Sequence, residues 1–342
     1  MDSLLRQLKI WEIDIGMLSE TCVAWEDQIP RRVIQNITKQ YDLHGCWTVS
    51  SSKLNVGSYV KPGGTGILAM GKSNGTIIDR GADPWKMGRW SYILIQGKKE
   101  GQSFLVVTGY RPGKRNDLAG VKTAWAQQQT ILYTDGRREK PHEAFLIDLT
   151  QWLLEYRNNQ MEIMVWLDAN EQWSKDGLLT NFARKFDLVN INEEMGLPAT
   201  HPNIVNPSRS TTIDFGLCSQ RVLDKVTYVG AAPYDMDTLG DHRGVVIDID
   251  IQGLLGVDKV VEEMRTRKLV MSDPKAVNQY LITVDDKFQA QNIYQRTKKL
   301  LKKVTKGYTD LQQIMKQYEA IDKEVLGICK KAEKKCKPTW AG

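Results

Sequence analysis

Cysteine is scarce and shows no pairing pattern: there are five in 342 residues, an odd number with no C-x-x-C spacing. That excludes a disulfide framework, argues against a structural zinc site, and predicts an intracellular protein of the cytoplasm or nucleus, not a secreted one. Histidine is scarcer still, with four residues. No apolar run approaches the roughly 20 residues of a membrane span. The opening MDSLLRQLKIWEIDIGMLSE is too charged and too evenly mixed for an export signal. Repeats of about 20 to 50 residues and low-complexity tracts are also missing. What remains, 41% hydrophobic and 26% charged, is the composition of a soluble globular chain. Its length fits one large domain with an appendage, or two domains.

Charge is unevenly placed. The net charge is +6, yet residues 296–337 alone carry 13 Lys and Arg against 5 Asp and Glu, which leaves the rest slightly negative. A basic tail of this kind points to a polyanion partner or to a well-solvated helical surface.

Along the body, short apolar or alternating runs are bounded by Gly, Pro, Asn or Lys: IDIGMLSE, LHGCWTVSS, GGTGILAMG, RWSYILIQG, SFLVVTGYRP, MEIMVWLDAN, DLVNIN, TTIDFGLCS, KVTYVGAA and GVVIDID. These read as strands. Helices are predicted over LLRQLKIWEI and residues 123–133, 143–159 and 178–186. The class is therefore α/β with mixed sheets. Near Gly253 the character changes, giving domains 1–252 and 253–342. SDPKAVNQYLITVDDKFQ predicts a helix capped by Ser272, with Pro274 in its first turn and Val277, Tyr280, Leu281, Val284 and Phe288 on one face. A second helix is predicted to carry Val304, Tyr308, Leu311, Met315, Tyr318, Val325 and Cys329 as a short coiled-coil or hairpin seam, a surface for self-association.

Chemistry gathers where the strands end. GMLSET offers the oxygen ligand Glu20, VTGYRP offers Tyr110 and Arg111, and VWLDAN offers Asp168 and Asn170, which alternation puts on one side of an extended chain. STTIDFGL offers Asp214, and GDHRGVV places Asp241 beside His242. An Asp at a strand end is ordinarily a cap or turn residue; five such clusters in one domain form a constellation. Phosphodiester cleavage at neutral pH needs an activated water, a cation on the phosphoryl oxygens, and donors where charge develops. Hard oxygen ligands suit Mg²⁺ or Mn²⁺. The loops RPGKRND and NPSRSTT add Arg111, Lys114, Arg115 and Arg209 as phosphate contacts, and a nucleic-acid backbone fits such a rim.

The order of these motifs resembles the endonuclease/exonuclease/phosphatase superfamily over about residues 5–252: SETCVAW, LDAN, TTIDF and GDH are similar to its metal-binding, Asp-x-Asn, Ile-Asp-Tyr/Phe and Asp-His segments. The resemblance implies an α/β fold with a two-sheet mixed β-sandwich, flanking helices and a helical C-terminal appendage. It implies Glu20 as Mg²⁺ ligand beside Asp241, Tyr110 as a phosphate contact, and Asp168 as the group handling the water or leaving-group proton. Asn170 becomes a donor to the scissile phosphate and Asp214 a partner holding the site. Asp241 orients His242, which donates to the phosphate. Family members begin with a strand ending in Asn; Met1 falls at or just before the helix that follows it, so the resemblance also implies a truncated copy lacking that strand. RTRKLVMSDPKAVNQYL and KAEKKCKPTWAG resemble the linker that follows the endonuclease domain of non-LTR-type retroelements. The leading expectation is a Mg²⁺-dependent DNA endonuclease or its inactive remnant. The alternatives are a phosphatase or phosphodiesterase acting on a lipid or inositol phosphate, and a non-catalytic nucleic-acid-binding or coiled-coil protein.

Overall fold

The run SFLVVTGY has apolar residues at both odd and even positions, and both sets need a partner surface. In the computed structural model it is a central strand, and each set has one. Phe104 and Val106 pack toward a second sheet, while Leu105 and Val107 pack toward helices. The structure describes residues 2–40, 45–54, 60–70, 75–113, 123–158, 160–201, 210–232, 240–256, 273–305 and 311–336. By chain-contact density it divides into Met1–Glu262 and Glu263–Gly342.

In the first unit the elements run α1 (Asp2–Ile10), β1 (Ile15–Ser19), α2 (Gln28–Gln40), β2 (Gly45–Ser50), β3 (Thr65–Met70), β4 (Ile77–Ala82), β5 (Trp90–Gln96) and β6 (Ser103–Tyr110). They continue as α3 (Ala124–Thr134), α4 (Pro141–Tyr156), β7 (Met161–Asp168), α5 (Leu178–Lys185), β8 (Leu188–Asn190) and α6 (Ile191–Glu194). The last are β9 (Asp214–Ser219), α7 (Gln220–Leu223), β10 (Val226–Ala231), β11 (Val245–Ile249) and α8 (Ile251–Leu255).

One sheet has the order β1-β3-β2, a second β4-β5-β6-β7-β9-β8, and β10 pairs with β11. Among the described residues only β6–β7 is parallel, and α3 and α4 lie in the crossover that joins them. Four layers result. Leu5 and Leu8 of α1 cover Leu68 and Met70 of β3. Ile67 and Ala69 on the opposite face of β3 meet Ile93, Phe104, Val106 and Met164 between the sheets. Phe145, Leu149 and Leu153 of α4, with Leu179 and Phe182 of α5, cover Leu105, Val107, Val165 and Leu217 beyond. The expected mixed two-sheet α/β sandwich with flanking helices is what forms. Each fully buried Leu, Val or Phe in these layers contributes about 1.5–3 kcal/mol relative to exposure.

Arg89, fully buried, donates to Asp83 at 2.8 and 2.9 Å and to Asp148 at 2.6 Å, and Arg137 donates to Asp148 at 2.8 Å. This network fixes the entry to β5, where the carbonyl of Arg89, the residue before the strand, accepts from the Tyr110 amide at 2.8 Å. Among the described residues β1 pairs only with β3, and β11 only with β10. Ile15, Met17, Ile247 and Ile249 of these two strands all pack on the same inter-sheet core.

Several boundaries differ from those the sequence predicts. The first unit runs past residue 252 because Leu254 and Leu255 are fully buried in its core. DLVNIN is a three-residue strand that turns into α6, capped by Asn190 through the Asn192 amide. Helix α2 and strand β4 fall in stretches where no element was expected.

The second unit contains α9 (Pro274–Ala290), α10 (Ile293–Thr305) and α11 (Leu311–Lys335). Asp273, not Ser272, caps α9, accepting from the Lys275 and Ala276 amides; Ser272 lies outside the described residues. The single second helix expected through Val304 and Cys329 is two helices, and Tyr308 lies outside the described residues. Its seam is also shifted. Ile314 and Ile328, each one position before a predicted seam residue, are buried on α11 together with Ala332, while Met315 and Tyr318 are exposed. On α9 Thr283 is buried and Leu281 is exposed. Arg296 of α10 pairs with Glu324 of α11. Among the described residues no helix is long and apolar enough to cross a membrane.

Candidate active site

Strand register assembles the first part of the site. Tyr110 of β6 lies opposite Asp168 of β7, and Asp168 lies opposite Asp214 of β9. Residues in one cross-strand row project to the same face. By two-residue alternation that face is the one carrying Val106, Met164 and Cys218, turned toward the other sheet. Gly216 lets the row close up: a Cβ there would sit 2.2 Å from the Trp166 ring.

The other sheet meets the row at its end. Glu20 follows β1 directly, Ser19 Oγ donates to the Gly109 carbonyl at 3.3 Å, and Tyr110 Oη donates to Glu20 Oε1 at 3.2 Å. Glu20, Cys22 and Asn170 all hold left-handed backbone, with φ of 48°, 52° and 49°. For non-glycine residues such geometry costs on the order of 1–3 kcal/mol each and persists only where surrounding contacts impose it.

His242 completes the cluster from the turn before β11. Its Nδ1 lies 2.8 and 3.0 Å from the two carboxylate oxygens of Asp214. Asp241, expected to orient the ring, does not: its side chain is 83% exposed and stands 3.9 Å from Nε2. The correction follows from topology. β9 delivers Asp214 beneath the ring, whereas the side chain next to His242 in sequence points to solvent. Ligand atoms of Asp168, Asp214 and His242 all lie within 4.8 Å of one another.

Burial and mutual charge set the proton affinities. Burial, then the charge of Asp214, pushes Asp168 up to about 8, against a weaker pull from His242. Burial alone would lower His242, but the hydrogen bond and charge of Asp214, with Asp168 and Asp241 adding, push it up to about 9. Glu20 is raised by burial and by Asp241, partly offset by the Tyr110 hydrogen bond. Tyr110 is raised by burial and then by the charge of Glu20, so it stays a donor.

Not every expected residue reaches this cluster. Arg111 is 1% exposed, with Nε donating to the His142 carbonyl and Nη1 to the Ala169 carbonyl and Glu171, so it braces the loops instead of facing a surface phosphate. Asn170 does reach it, though not by strand alternation, since it lies beyond the end of β7: its backbone amide donates to the Asp168 carboxylate, while its Nδ2 donates to the Arg111 carbonyl at 3.0 Å. Lys114, Arg115 and Arg209 lie outside the described residues.

Three residues not singled out from the sequence take part. Asn192 donates to the Asp214 carbonyl and accepts from the Gly216 amide, holding β9. Thr200 Oγ1 accepts from the Ile213 and Asp214 amides, and its carbonyl accepts from the Arg243 amide, tying β9 to the His242 turn. His201 stacks edge-on against His242 with ring centroids 5.0 Å apart. The only sequence signal for His201 is the rarity of histidine.

The donor set fits a hard dication. Asp168 Oδ1 is buried with no hydrogen-bond partner among the described residues. Glu20 and Asp168 are both pushed toward the protonated form by burial and neighbouring carboxylates, a situation a cation relieves. Among the described residues, the ligand atoms that converge within 4.8 Å are those of Asp168, Asp214 and His242, and those of His201, Asp241 and His242.

No protein-family model and no curated protein matches the chain. Solved structures do. An AP endonuclease from Archaeoglobus fulgidus is 14% identical, with 72% of this chain and 93% of that one covered and a TM-score of 0.49. An endonuclease/exonuclease/phosphatase family protein from Leptotrichia buccalis is 14% identical, covering 73% and 92% with a TM-score of 0.48. The endonuclease domain of TRAS1, a telomere-specific non-LTR retrotransposon, is 14% identical, covering 73% and 92% with a TM-score of 0.45.

Proposed function

We propose that this chain is a divalent-metal-dependent phosphodiesterase of the endonuclease/exonuclease/phosphatase kind, acting on the DNA backbone. The carrying observation is the convergence of Asp168, Asp214 and His242 within 4.8 Å at the mouth of the sandwich, with Tyr110 and Glu20 in hydrogen-bond contact beside them. Mg²⁺ or Mn²⁺ suits the carboxylates of Glu20 and Asp241, and such an ion supplies charge neutralisation at the phosphoryl oxygens. Asp214 holds the imidazole by Nδ1, which turns Nε2 outward as a donor to the phosphate as negative charge builds. Asp168, raised to about 8, exchanges the proton of the attacking water or leaving group close to working pH. Tyr110 donates first to Glu20, fixing that carboxylate.

The choice of DNA is supported by the basic excess of residues 296–337 and by the exposed Lys298, Lys299 and Lys302 on α10, which suit a phosphate backbone. Incubating supercoiled plasmid with the full chain and Mg²⁺ should give nicked circles, lost with EDTA and in His242→Ala. Absence of nicking at any protein level would remove the reading. Hydrolysis of an inositol phosphate without nicking would move the substrate to small phosphoesters.

A further inference from the structure

His242 and Asp241 also meet a third residue, His201, that the proposed chemistry does not use. Ligand atoms of His201, Asp241 and His242 lie within 4.8 Å of one another on the solvent side of the ring. His201 is held from both directions. Its amide and carbonyl pair with Thr211 at 2.9 and 3.0 Å, and the preceding Thr200 is tied to β9 and to the His242 turn. With Nδ1 of His242 occupied by Asp214, the free ring nitrogen is Nε2, which faces Asp241 at 3.9 Å. This is the arrangement in which a carboxylate fixes one imidazole nitrogen so that the other can ligate a metal.

Two imidazoles and one carboxylate make a borderline donor set. It suits Zn²⁺, which takes nitrogen and oxygen ligands at about 2.0–2.2 Å in tetrahedral geometry, far better than Mg²⁺, which demands an octahedron of hard oxygens. Three protein ligands leave the fourth position for water. The present spacing is wider than that of a loaded tetrahedron, and the exposed Asp241 side chain can close it by rotation. The deeper set, Asp168 with Asp214 and His242, is less available to zinc, because using it would break the Asp214–His242 hydrogen bond.

We propose that His201, Asp241 and His242 form a zinc site that inhibits the enzyme by occupying Nε2 of His242. Zn²⁺ displaces the Nε2 proton to solvent and removes the donor that would face the phosphate. The inhibitory consequence rests on the phosphodiesterase reading; the binding site itself does not.

The experiment titrates Zn²⁺ into the full chain by calorimetry in the presence of millimolar Mg²⁺, and follows Co²⁺ substitution by visible absorption. Binding of one ion should weaken by at least about tenfold in His201→Ala. The Co²⁺ spectrum should show tetrahedral bands without a thiolate charge-transfer band, which excludes ligation by Cys22, Cys329 or Cys336. Plasmid nicking by His201→Ala, expressed relative to that variant's own rate with Mg²⁺ alone, should lose its sensitivity to Zn²⁺. His201→Gln, checked for an unchanged melting temperature, serves if the alanine variant folds poorly. Equal zinc affinity in wild type and the His201 variants, a thiolate band, or no zinc binding overturns the proposal. Zinc binding that depends on His201, in a protein without nicking activity, leaves the site standing and removes the phosphodiesterase reading instead.

Discussion

Replacing Asp168 with Asn should stabilise the ion-free protein while abolishing its activity, and the gain should depend on pH. Asp168 is buried, faces Asp214 across the β7–β9 ladder, and has an oxygen without a partner among the described residues. Its affinity is raised from 3.8 to about 8, first by burial and then by Asp214. The raised value fixes the sign. Its contribution to stability is complete below 3.8 and is lost as pH rises through about 8, because the unfolded chain releases the proton that the folded one keeps. At pH 7 that loss corresponds to about 4 kcal/mol at 1.36 kcal/mol per pH unit, and relaxation around the site reduces the expected gain in Asp168→Asn to about 2 kcal/mol. Urea unfolding at about pH 4, 6 and 7.5 measures it. Stability of variant and wild type should nearly coincide at the acid end and diverge upward, and millimolar Mg²⁺ should narrow the gap by favouring the ionised carboxylates. A difference independent of pH, or a destabilised variant at neutral pH, would refute the electrostatic account. Nicking should fall by roughly 10²–10⁴, as expected when a general acid or base is lost.

Asp214→Asn should lower the titration midpoint of His242, observed by proton NMR, well below about 9 because it removes the hydrogen bond and the nearest charge; Asp241→Asn should move it far less. If Asp241→Asn produces the larger drop, the Asp214 pairing is wrong. Asp148→Ala should cost about 3–5 kcal/mol in chemical denaturation, since it strips a partner from buried Arg89 and from Arg137, and a loss below about 1 kcal/mol would show that the network is replaceable. Changing Lys298, Lys299, Lys302 and Lys303 to Gln should flatten the dependence of log affinity for duplex DNA on log salt by up to about 3.6, given roughly 0.9 per phosphate contact. An unchanged slope returns those lysines to solvated helix surface.

Glu20, Asp168, Asp214 and His242 were legible as candidates because each ends or precedes an apolar run, and such positions open onto a sheet edge. The pairing among them was not legible. Adjacency in sequence favours Asp241 as the partner of His242, but the bond is made by Asp214, 28 residues away, because β9 runs beneath the turn. Arg111 next to Tyr110 reads as a surface cation; just past the end of β6 it turns inward instead, where two carbonyls and Glu171 take Nε and Nη1 while Nη2 has no partner among the described residues.

The class of element at each stretch is written into the local pattern of residues. Apolar alternation with period two, bounded by turn residues, leaves little freedom in SFLVVTGY or MEIMVWLD, and two apolar faces on one strand require a layer on each side. Tertiary structure alone decided register and partnership: the parallel β6–β7 and antiparallel β7–β9 ladders set Tyr110, Asp168 and Asp214 in one row. It also decided which residues of the Lys-rich helices turn inward, since Ile314, Ile328 and Ala332 rather than Met315 and Tyr318 meet the neighbouring helices. The physical reason is common to both cases. Local periodicity is encoded in neighbouring residues, whereas registry between elements is selected by packing and hydrogen bonding among residues far apart in the chain, and a slip of one position exchanges the inward set for the outward one.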